Sequence, residues 1–216
     1  AIRSVPGLFW LIIFTTFNNL VGGVFMALMD PYGLTLFSVE WWGVVLGITS
    51  TGFILGGLIV AKFGLGKNPV RTMLLVNIGI ALLGMTFAIR EWWLLYVIGI
   101  WLFMVIMPIA EAAEQTIIQR VVPLKRQGRV FGLAQAIESA STPISAFMIG
   151  PIAEFMIIPY MRTPEGQAAF KWLLGEGEAR GIALVFVLAS LVMLVIVAVA
   201  FMSKPYKKLS AYYAKS

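Results

Sequence analysis

The stretch VVPLKRQGRVFGLAQAIESASTPISAFMIGP, residues 121–151, decides how this chain is read. It begins with Lys125, Arg126 and Arg129, just after Arg120, and then runs from Val130 to Gly150 with one charge in it. A run of that length spans a hydrocarbon core roughly 30 Å thick as a helix. The single charge is Glu138, roughly 13 Å beyond Arg129 at the rise of a helix, too deep for a short side chain to reach back to the basic end. Gln135, Thr142 and Ser145 recur with it at steps of three and four, which makes one helix face polar. Such a face turned to lipid is costly, so it meets protein or a wet interior, where ionisable groups mark ion or substrate pathways. A hydrogen-bonded or protonated Glu138 that only fixes packing satisfies the same pattern.

The rest of the chain repeats this style of run. Of its 216 residues 60% are hydrophobic and 12% charged, and the mean hydropathy is +0.93, far from an ordinary soluble domain. Six near-spanning apolar runs are predicted, over 7–29, 41–61, 72–89, 92–118, 130–150 and 181–202, with an outer loop over 151–180 that carries a short helix across 165–174. The sequence thus predicts one all-α, six-span membrane domain over 1–216. Basic residues collect on one side of these runs: Arg3, Lys62, Lys67, Arg71, Arg120, Lys125, Arg126, Arg129, Lys204, Lys207, Lys208 and Lys215. Lys and Arg favour the cytoplasmic side, so both ends of the chain are expected in the cytoplasm of a plasma (inner) membrane. The net charge of +6 then reports topology and attraction to membrane lipids, and no nucleic-acid partner is expected. The chain starts at Ala1 and enters a span almost at once, which reads as part of something longer.

Composition removes whole classes of chemistry. With no Cys and no His, disulfides, thiol redox chemistry, Cys/His metal sites and His-dependent triads are excluded. Neither an enzyme, a metal site nor a cofactor is expected. Polar groups inside the spans carry the functional reading instead. Thr15, Asn18, Asn19 and Gly22 share a face of the first run, as packing contacts or as substrate contacts. Gly43, Gly47, Gly52 and Gly56 in the second run predict close helix packing. Lys62, Lys67 and Arg71 frame a turn whose Gly64, Gly66 and Pro69 suit sharp backbone geometry, with topology or a conformational latch as their role. In the fourth run Pro108 predicts a bend, and Glu111 and Glu114 share a face near Gln115 and Arg120, where ion pairing is the preferred reading over a proton relay. Pro143, Gly150 and Pro151 predict a kink or break in the outer half of the fifth run. The sixth run has Ser190 as its only hydroxyl and reads as peripheral.

Two segments carry a resemblance. GGLIVAKFGLGKNPVR at 56–71 and VPLKRQGRVFGLAQAIESASTPISAFMIGPIAE at 122–154, in a six-span chain, resemble the carboxy-terminal half of a major facilitator superfamily transporter. The closest likeness is to the proton-driven drug efflux branch with the macrolide efflux proteins, and a more distant one is to lysophospholipid transporters. The resemblance implies helices seven to twelve of twelve, a 3+3 inverted repeat, and alternating access against an amino-terminal half. It also implies that runs one, two, four and five border a central cavity, with three and six peripheral. Asn77 in the third run departs from that division, and Lys62 stands where the family usually has an acid. On this reading Glu138, Gln135, Thr142, Asn18 and Asn19 contact a small organic substrate or protons. Lys62, Lys67, Arg71, Glu111, Glu114, Arg120 and Arg129 belong to gating and the cytoplasmic loops. A self-assembling six-helix channel or scaffold is the alternative from another class.

Overall fold

The computed structural model describes residues 8–86, 88–177 and 179–214, apart from the side chains of Leu8, Val121, Glu138, Thr142 and residues 212–214. Arg3 and Lys215, used above for orientation, lie outside the described residues. Helices α1 (Leu8–Leu36), α2 (Val39–Phe63), α3 (Pro69–Thr86), α4 (Trp93–Val121) and α5 (Leu124–Ile152) lead into a π turn (Ala153–Ile157). Helices α6 (Ile158–Arg162), α7 (Pro164–Leu174), α8 (Arg180–Met202) and α9 (Lys204–Ala214) complete the described chain. Six segments are long and apolar enough to cross a membrane: α1 to α4, α5 with its continuation, and α8. The molecule is an all-α, six-helix bundle of membrane-spanning character.

The helices outrun the hydropathy reading where polar or proline residues extend a helix past its apolar run. α1 continues through Pro31 to Leu36, and the chain beyond α5 stays helical to Arg162, where hydropathy places a loop. α4 and α5 also run through Pro108 and Pro143 without interruption. The irregularity comes later, just after Pro151, where the Ile158 N–H reaches the Ala153 carbonyl five residues back. A proline supplies no N–H and frees a carbonyl one turn earlier, and a π turn is one way the backbone absorbs the mismatch. α7 is punctuated as expected: Thr163 accepts from the Gly166 N–H at 3.1 Å, Pro164 opens the helix, and Gly175 closes it at φ +79°.

Packing follows a single strip. α2 lies on α4, α4 on α3, α3 on α8, α8 on α1 and α1 on α5, while α1 and α2 touch little. Glycine makes the closest of these contacts. A Cβ at Gly52 would stand 2.7 Å from the Trp101 carbonyl oxygen, and one at Gly56 would overlap the Val105 carbonyl. Gly84 leaves room in the same way for Phe25 and Ser190. Gly43, Gly47 and Gly57 have nothing near them. The two ends of the strip, α2 and α5, are accordingly the least covered spans.

The two ends of the bundle differ. At the basic end, Gly64 and Gly66 take φ of +66° and +72°, and Asn68 Nδ2 donates to Ser210 Oγ, tying the turn to α9. Gln127 Nε2 donates to the Gln119 and Val122 carbonyls at 2.8 and 3.0 Å, satisfying orphan acceptors where α4 stops. At the opposite end, Trp42 Nε1 donates to Asp30 at 3.0 Å and Tyr96 Oη to the Met29 carbonyl at 2.7 Å. Tyr32, Tyr96, Trp42 and Phe186 stack edge and face around them. Arg180 locks this layer. Only 2% exposed, it donates to Tyr32 Oη at 2.9 Å and to the Leu174 carbonyl, and pairs with Glu91 at 3.5 Å. One guanidinium thereby joins α1, the α3–α4 connection, α7 and α8.

Candidate functional site

Polar side chains from four spans meet in the half of the bundle nearer the basic end. They line a partly open cavity of about 230 Å³ between α1, α3, α4 and α5, with no residue of α2 among its described lining. α1 supplies Asn18 and Asn19, α3 supplies Asn77, α4 supplies Glu111, Glu114 and Gln115, and α5 supplies Gln135. Met73, Met107, Ile118 and Phe131 form the apolar part of the wall. At 1.5 Å per residue, Glu114 lies roughly 10 Å from the end of α4 and Asn77 roughly 12 Å from the start of α3. Asn18 and Gln135 lie roughly 15 and 16 Å from the starts of their helices. These residues lie two to three turns in from the helix ends at the basic end of the bundle.

The cavity exists because helical spacing brings these groups to one face each. Met107, Glu111, Glu114, Gln115 and Ile118 follow one another at steps of one, three or four along α4, and Met73 and Asn77 stand one turn apart on α3. Asn77 is 1% exposed. Its Nδ2 donates to the Met73 carbonyl at 2.9 Å, while its Oδ1 is buried with no hydrogen-bond partner among the described residues. Asn18 Oδ1 is likewise buried and has no partner among the described residues. A buried acceptor without a donor costs about 1–3 kcal/mol, and both of these belong to residues that line the cavity. Among the described residues, two carboxyl groups and no basic side chain line it.

Of the predicted substrate and proton residues, Asn18, Asn19 and Gln135 come together here. The side chains of Glu138 and Thr142 lie outside the described residues. Glu111 and Glu114, read as interfacial ion-pair partners, stand in the cavity wall with them. Lys62, Lys67, Arg71, Arg120 and Arg129 are exposed at the basic end and do not line it. Asn77, the departure from the predicted division into inner and peripheral helices, is the most deeply buried polar group of the wall. The polar line of α5 divides: Gln135 faces the cavity, whereas Ser145 Oγ donates to the Leu20 carbonyl at 2.6 Å and ties α5 to α1. Beyond that tie lies a second, apolar crevice of about 370 Å³ between α1, α5 and α8, lined by groups such as Phe17, Val24, Met148 and Val192.

No protein-family model matches the chain, nor does any curated protein or solved structure.

Proposed function

We propose that this chain is one six-helix half of a secondary transporter that exports small amphipathic organic molecules, drug-like ones included, by proton-driven alternating access. The observation that carries the proposal is the polar cavity two to three turns inside the bundle, lined by Asn18, Asn19, Asn77, Gln135, Glu111 and Glu114. Polar and ionisable groups are kept inside a membrane domain chiefly for pathways. The packing strip gives independent support. Exchanging α1 with α4, α2 with α5 and α3 with α8 maps its contacts onto themselves, the pattern that a 3+3 inverted repeat of the major facilitator kind produces. The basic end, carrying Lys62, Lys67, Arg71, Arg120, Arg129 and α9, is then cytoplasmic in a plasma (inner) membrane. Glu138 is the candidate proton group, and Thr142 the cavity contact beside it. The proposal assigns the chain no catalytic step and no cofactor.

The uncovered faces of α2 and α5 receive an amino-terminal half of the same protein or a partner subunit. The test is subunit mass and transport together. Protein purified gently from its native membrane is weighed intact, then reconstituted in liposomes and assayed for proton-gradient-driven movement of a fluorescent amphipathic dye. A species with six further spans that moves the dye, and loses coupling in Glu138→Gln, supports the proposal. The same open faces also fit a second copy of this chain, so a homo-oligomer that conducts ions without gradient coupling replaces the transporter with a channel.

A further inference from the structure

We propose that the outward face of α9 and the turn between α2 and α3 together bind the headgroup of an anionic phospholipid in the leaflet at the basic end of the bundle. The proposal goes beyond the transporter reading and uses no part of it. It starts from the two faces of α9. On one, Tyr206 and Leu209 close the gap between α1, α3 and α8, where a crevice of about 40 Å³ is left beside Trp10, Leu11, Val70 and Leu74. Leu209 is buried, and the Tyr206 ring packs edge-on against Phe201. On the other face Lys204, Lys207 and Lys208 are all exposed, and their spacing sets them within about 100° of one another around the helix. The turn adds to this face. Asn68 Nδ2 donates to Ser210 Oγ, and the exposed Lys67 and Arg71 stand one residue before and three after Asn68, as Lys207 stands three before Ser210. One hydrogen bond therefore holds five cations from two distant segments as a single patch.

The charges work against the helix that carries them. Lys204 and Lys207 stand in the first turn of α9, which holds no acid, so they oppose the positive end of its dipole. Lys204 and Lys208, four apart, repel each other along the helix. No Asp or Glu occurs from Trp41 to Arg90 or from Ala179 to Ser216, and none of the five cations makes an ion pair among the described residues. Topology asks only for Lys and Arg somewhere in the connections on this side. It does not ask that the turn be fastened to α9, so an anion from outside the protein completes the patch. The surroundings make that anion a lipid's. α9 follows the span α8 after one residue, Ser203, which keeps its lysines within reach of the leaflet surface. Met202, two residues before Lys204, is 80% exposed, and Phe63, four before Lys67, is 72% exposed. Large apolar side chains beside cations at the end of a span suit the layer where headgroups meet acyl chains. A soluble anion would leave both of them in water.

The test is lipid binding without transport, on the protein as purified from its membrane with whatever chain accompanies it. Phosphatidylglycerol carrying pyrene on one acyl chain is titrated into the protein in mixed micelles, and energy transfer from tryptophan, Trp10 beside the site included, reports its arrival. Phosphatidylcholine with the same chains, inorganic phosphate and a poly-glutamate peptide then compete in turn. The expected result is saturable transfer, with phosphatidylcholine about tenfold weaker or more and neither soluble anion displacing the lipid at equal concentration. Lys207→Gln with Lys208→Gln should raise the apparent Kd about tenfold or more. Lys67→Gln with Arg71→Gln should do the same from the other side of the site, and decides if the first pair fails to fold. Lys125→Gln with Arg126→Gln removes equal charge from the start of α5 and should change Kd by less than about twofold. Ser210→Ala removes no charge but unties the turn from α9, and should also weaken binding. Equal affinity for phosphatidylcholine, displacement by phosphate or poly-glutamate, the same loss at Lys125 and Arg126 as at Lys207 and Lys208, or an unchanged Kd in Ser210→Ala overturns the proposal.

Discussion

Asn77 shows what single residues contribute and what their sequence conceals. On α3 it is one polar residue in an apolar run, in a helix that the resemblance places at the periphery. Its importance depends on helix rotation, and hydropathy fixes rotation poorly in lipid, because a span that is apolar on every side has little amphipathic signal. The unpaired Oδ1 has a measurable consequence. Asn77→Leu removes a buried acceptor that no donor among the described residues satisfies, so the protein should be no less stable, with a gain of up to about 1–3 kcal/mol. A lower thermal midpoint in detergent would mean that Oδ1 has a partner. Arg180 behaves oppositely. In sequence it is one more cation of an outer loop, yet it is buried among Tyr32, the Leu174 and Ala88 carbonyls and Glu91. Arg180→Met strands those acceptors and should cost roughly 3 kcal/mol, read as a fall in the thermal midpoint. Arg180→Lys should recover part of it, since an ammonium lacks the guanidinium fork.

At the scale of elements, the sequence showed that six spans exist but not where they end. Apolar runs report hydrocarbon, and helices continue beyond it wherever hydrogen bonding permits, as α1 does past Pro31 and α5 through the π turn to Arg162. The glycines of α2 were legible as packing residues only in part. Gly52 and Gly56 admit the backbone of α4, whereas Gly43 and Gly47 face open space. Spacing alone joins the four, and only the neighbouring helix separates them. Gly56→Val forces a side chain onto the Val105 carbonyl and should cost about 1–3 kcal/mol or block assembly, seen as loss of monodisperse protein on gel filtration. Gly43→Ala should leave the isolated bundle unchanged to within about 0.5 kcal/mol. A larger side chain at the other open position, as in Gly47→Leu, should spare folding and weaken association with the second half, read by co-purification.

For the whole molecule, the asymmetry of charge makes the orientation testable. The chain has no Cys, so a single introduced thiol reports cleanly. Glu176→Cys should react with a membrane-impermeant maleimide on intact cells, and Lys208→Cys only after permeabilisation; the reverse pattern would invert the assigned topology. The basic asymmetry was legible because it is a property of composition along the chain. The cavity was legible residue by residue, through Asn18, Asn19, Gln135, Glu111 and Glu114, but not as one place, because convergence of four helices is set by the order in which they pack. That order also bears on how the protein is made. Of these helices α1 leaves the ribosome before the rest, yet its main neighbours are α5 and α8, and α2 must find α4. Early spans therefore wait in the bilayer, their polar groups uncovered, until late ones are inserted. Synthesis halted after α4 should leave Asn18, Asn19 and the α1 face of the cavity without their permanent cover, so nascent chains of that length should depend most on insertion chaperones and fall first to membrane proteases.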